Sequence, residues 1–86
     1  MRIKDGYVLR RVGEMGIVIP IYEKNRDQMV TLNHSAVALW NMLGQETNMS
    51  CLIEKMMEKY DVTEDVLKKD IEVFLCKIRK VGLLEE

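Results

Sequence analysis

A chain of 86 residues, 48% hydrophobic and 31% charged, has apolar material for one small packed domain and too much of it for a disordered tail. Thirteen basic against fourteen acidic side chains leave a net charge of −1, so no global field draws in a nucleic-acid backbone, an anionic membrane or an acidic substrate. The longest apolar run, Ile17-Val18-Ile19-Pro20-Ile21, falls far short of the roughly 20 residues that span a bilayer, and the amino-terminal residues carry no export signal, so a cytoplasmic location is expected.

In chain order, Tyr7-Val8-Leu9-Arg10-Arg11-Val12 and the run 16–23 are rich in β-formers and are joined by Gly13-Glu14-Met15, which predicts a hairpin. Pro20 cannot donate to a ladder, which predicts a local irregularity in the middle strand. Lys24-Asn25-Arg26-Asp27-Gln28 reads as a polar loop, followed by a short third strand, Met29-Val30-Thr31-Leu32. Asn33 caps a first helix over 34–43, with Ala36, Val37, Trp40 and Leu43 on its apolar face and Gly44 as its stop. Asn48 caps a second helix, in which Met49, Leu52, Ile53, Met56, Met57 and Tyr60 recur at helical spacing opposite Glu54, Lys55, Glu58 and Lys59. Thr63 opens a third, with Glu64 and Asp65 in its first turn, Lys77, Arg79 and Lys80 in its last, and Gly82 beyond as a left-handed cap that brings Leu83 onto Ile78. The expected fold is α+β and winged-helix-like: a three-stranded antiparallel sheet followed by three helices, in one domain over 1–86.

Catalysis needs convergent groups, and none converge in this pattern. His34 is the single histidine and reads as a solvated or backbone-bonded ring at the start of the first helix. Asp61, Glu64, Asp65 and Asp70 match neither a calcium loop nor a dicarboxylate pair. Cys51 and Cys76, without a second pair, fit neither a disulfide framework nor a four-ligand zinc site, and both read as small buried or half-buried hydrophobes. Met49, Met56, Met57 and Trp40 read as core filling. The expectation is a protein that is not an enzyme and holds no metal or cofactor.

The third helix says more. Leu67, Ile71, Phe74, Leu75 and Ile78 form its core stripe, and Lys68, Glu72 and Arg79 lie on one flank. The other flank carries Val66, Val73 and Val81 among Asp70 and Lys77, a wider apolar arc than a small core requires, which implies a second contact within the chain, with another copy or with a ligand. The third strand is an edge whose backbone can pair with an added strand. If the valine flank borders that edge, with Lys24, Arg26 and Asp27 nearby as guards, the two walls suit an extended peptide.

Three segments resemble the PqqD family of pyrroloquinoline-quinone biosynthesis and the recognition elements associated with ribosomally made, post-translationally modified peptides. They are the junction Thr31-Leu32-Asn33-His34-Ser35-Ala36-Val37-Ala38-Leu39-Trp40, the helix end Glu58-Lys59-Tyr60-Asp61-Val62, and the carboxy-terminal stretch from Asp70 to Leu84. His34-Ser35 and Met29 depart from the family pattern, which favours an acidic residue or proline before Ser or Thr, and an aromatic, at those places. The resemblance implies a non-catalytic chaperone that takes up the leader of a precursor peptide as an antiparallel strand and delivers it to a modifying enzyme, often of the radical S-adenosylmethionine type. The positions it implies are Gln28, Met29, Val30, Thr31 and Leu32 on the strand, and Val66, Asp70, Val73, Phe74, Lys77 and Val81 on the helix. The alternatives are a winged-helix DNA-binding domain, against which the balanced charge of the third helix argues, and a homodimer paired through the strand edge.

Overall fold

The computed structural model describes residues 1–21 and 30–86. Its elements run β1 (Arg2–Ile3), β2 (Tyr7–Val12), β3 (Met15–Pro20), β4 (Val30–Leu32), α1 (His34–Met42), α2 (Met49–Lys59), α3 (Glu64–Lys80) and β5 (Leu84–Glu85). The expected sheet is present as an antiparallel β2-β3-β4 meander with β3 in the centre, and the three helices follow it. β1 and β5 form an additional two-stranded antiparallel ribbon that the sequence reading did not contain.

Local chemistry accounts for most boundaries. Val12 pairs with Met15, so the hairpin turn is Gly13-Glu14 alone. Gly13 sits at φ 64, and among the described residues no non-glycine residue has positive φ, an arrangement that places glycine at the first position of a two-residue turn and follows the sheet's twist. The amides of Ala36, Cys51 and Val66 donate to the side chains of Asn33, Asn48 and Thr63, which open α1, α2 and α3 as expected. At the end of α3, Gly82 at φ 76 donates to the Arg79 carbonyl at 3.0 Å and Leu83 to that of Ile78 at 2.9 Å, the paired bonds of a Schellman stop.

Other expectations are corrected. The β2–β3 register runs through Pro20, which pairs with Tyr7 without a bulge. The Ile21 amide donates to Gly6 at 2.7 Å, so by antiparallel alternation position 20 faces away from β2, and that ladder needs no donor there. Gly44 has no left-handed conformation. The last helical residue of α1 is Met42, and its cap is Leu43, fully buried, whose N–H reaches the Leu39 and Trp40 carbonyls. Tyr60 is the extended residue after α2 rather than its last turn. Cys76 is exposed, because it shares the solvent face of α3 with Glu72 and Arg79; Cys51 is half-buried as expected.

The core joins Val18, Val30 and Leu32 of the sheet to Val37, Leu39, Trp40 and Leu43, to Leu52 and Met56, and to the whole expected stripe of α3, with Ile3, Leu83 and Leu84 closing one end. Met57 is exposed and takes no part. Gly16 allows the close approach of α1 to the sheet: a Cβ there would lie 2.7 Å from Leu9 Cδ1 and 2.8 Å from Val37 Cγ2. Among the described residues, no helix is long and apolar enough to cross a membrane.

Candidate functional site: a groove between the β4 edge and helix α3

Alternation fixes which backbone groups of β4 are free. β3 uses its odd positions toward β2, so its even positions face β4, where Gly16 opposes Leu32 and Val18 opposes Val30. The N–H and C=O of Thr31, between those pairs, therefore point away from the sheet. The geometry agrees: Lys77 Nζ reaches across from α3 and donates to the Thr31 carbonyl at 3.0 Å. One ammonium thus spans the space between the strand edge and the last helix.

That space is an open groove of about 410 Å³. Its strand side is Thr31, Leu32 and Asn33, and α3 contributes Leu67, Asp70, Ile71, Val73, Phe74 and Lys77. Ser35, Ala36 and Leu39 of α1, with Met56, Tyr60 and Val62 from α2 and the segment after it, complete the lining. Val73 is 69% exposed, the most solvent-open of the large hydrophobic side chains among the described residues, so no described segment of the chain covers the valine flank. Phe74 beside it is buried and gives the wall an aromatic base. Asp70 and Lys77 set opposite charges two helical turns apart, about 10 Å along the axis, and neither forms a salt bridge among the described residues.

Of the expected positions, Thr31, Leu32, Asp70, Val73, Phe74 and Lys77 meet in this groove. Val30 is buried under the sheet, because its side chain and its backbone bonds both face inward. Val66 on α3 and Val81 at its carboxy-terminal cap are exposed but do not line the groove. Gln28 and Met29, with the loop charges Lys24, Arg26 and Asp27, lie outside the described residues. The sequence reading missed the contribution of the first turn of α1 and of Tyr60 and Val62. A signal for Val62 was present, an apolar residue set between Asp61 and the cap Thr63. His34 is exposed as expected, and its ring meets Tyr60 edge-on with centroids 6.1 Å apart, which steadies one groove side chain.

Residues 18–84 match the family model described as coenzyme PQQ synthesis protein D (PqqD), a span that contains every residue lining the groove. The chain belongs to the PqqD family. Among solved structures, the PqqD-family chain is similar to TbiB1, solved in complex with the TbiA(beta) leader peptide, with a TM-score of 0.80 and 18% identity over 99% of this chain and 95% of that one. At that identity the likeness speaks for the fold. No curated protein matches the sequence.

Proposed function

We propose that the chain captures the leader segment of a ribosomally made precursor peptide as an added antiparallel strand on the β4 edge, and holds it for a modifying enzyme while catalysing nothing itself. The observation that carries the reading is the placement of the outward-facing Thr31 backbone across an open groove from the uncovered Val73. Main-chain bonds at Thr31 set the register, and an aliphatic or aromatic side chain entering the groove contributes roughly 1.5–3 kcal/mol. Family membership supports the reading, as does the fold shared with TbiB1, a protein solved with a leader peptide bound. The enzyme served is of the radical S-adenosylmethionine type, as the family resemblance implies.

The test is selection from a displayed library of random peptides, followed by NMR of the protein with a selected peptide. The expected result is a bound extended segment that slows exchange of the Thr31 amide and shifts the Val73 methyls. Peptides that bind while leaving both signals unchanged would overturn the proposal.

A further inference from the structure

We infer that Lys77 is a displaceable guard on the β4 edge, which yields the Thr31 carbonyl to an incoming strand and thereby selects strands that bring a carboxylate to its end of the groove. This rests on the peptide-capture reading and adds to it the charge of the ligand and the residue that reads that charge.

The unliganded arrangement sets the problem a ligand must solve. An antiparallel strand added to β4 would use both the N–H and the C=O of Thr31, and the carbonyl already accepts from Lys77 Nζ at 3.0 Å. A cation on a strand edge disfavours casual pairing, including pairing with a second copy of the chain. The ammonium must therefore move aside when a strand docks, and the docked peptide covers the groove and withdraws that ammonium from water. A partly desolvated cation with no counter-charge is unfavourable, and among the described residues no carboxylate pairs with Lys77. A glutamate or aspartate on the incoming strand supplies the missing acceptor. The preference is local, because Asp70 makes another stretch of the same groove negative and disfavours a carboxylate there.

Random-peptide display against the wild-type protein and against Lys77→Glu and Lys77→Met tests this. Lys77 is exposed, so both variants are expected to keep the helix content of the wild type by circular dichroism. Wild-type selections should be enriched in Asp or Glu at one register position, Lys77→Glu selections in Lys or Arg at that position, and Lys77→Met selections in neither. Changing the selected carboxylate to its amide should weaken binding to the wild type about tenfold and leave binding to Lys77→Met unchanged. Selected pools that share one charge pattern across all three proteins would overturn the inference while leaving peptide capture standing. Selections that yield no β4-bound peptide would overturn both, and wild-type protein that sediments as a dimer paired through β4 would assign the edge to a second copy instead.

Discussion

The sheet has two outer strands, β2 and β4, and they differ in what stands beside them. β2 is six residues long, and by the alternation that frees Thr31 it turns the backbone groups of Tyr7, Leu9 and Arg11 outward. By length alone it is the better template for an added strand. Its last three residues, Arg10, Arg11 and Val12, are exposed, and the two arginines blunt the edge with charge. β4 shows three described residues and a single outward pair, yet it faces Phe74, an uncovered Val73 and a groove floored by three helices. Free backbone is therefore common to both edges, and the apolar wall is what separates a candidate docking strand from an ordinary sheet margin.

The most severe way to break this comparison is to charge the wall. Val73→Asp should reduce capture of a selected peptide by at least about thirtyfold, since it loses apolar contact and buries an unpaired carboxylate on docking. Val12→Asp on the other outer strand should leave affinity unchanged, and circular dichroism should show both variants folded. Loss of helix content in Val73→Asp would mean that this valine packs in the core. Stability should respond most at the close contact behind the sheet: Gly16→Ala should cost about 1–3 kcal/mol by thermal or denaturant unfolding, because neither Leu9 nor Val37 can accept a methyl at 2.7–2.8 Å without moving. A smaller effect should separate the two edges directly. Thr31→Pro removes an outward N–H without touching the ladder to β3, so it should weaken peptide binding by about 1 kcal/mol beyond Thr31→Ala, whereas Arg11→Pro should not weaken it at all. A change of similar size is expected at the mouth of the groove, where Asn33→Ala removes the cap on α1 and should lower stability by about 1 kcal/mol.

The sequence made the helices, the meander and most of the groove's outer wall legible, because caps, periodicity and the surplus of valines on α3 are local signals. Val66 and Val81 were read as part of the same surface because a helical wheel sorts residues by angle, while a groove is also limited along the axis by what faces it. Tyr60 was read into the helix since its spacing continues the apolar stripe, and only the extended backbone after Lys59 turns it toward the groove. The β1–β5 ribbon was invisible for another reason: two-residue strands show no alternation, and this pairing depends on distant bonds, Ile3 to the Leu43 carbonyl at 2.9 Å and Lys4 to that of Leu83 at 2.8 Å. The bond from Lys77 to Thr31 spans 46 positions and belongs to the same class of tertiary fact.

Amide hydrogen exchange at Thr31 and Arg11, measured with and without a library-selected peptide, tests the central claim most directly. The account predicts that peptide strongly slows exchange at Thr31 and leaves Arg11 as it was. Protection at Arg11 with Thr31 unchanged would contradict it.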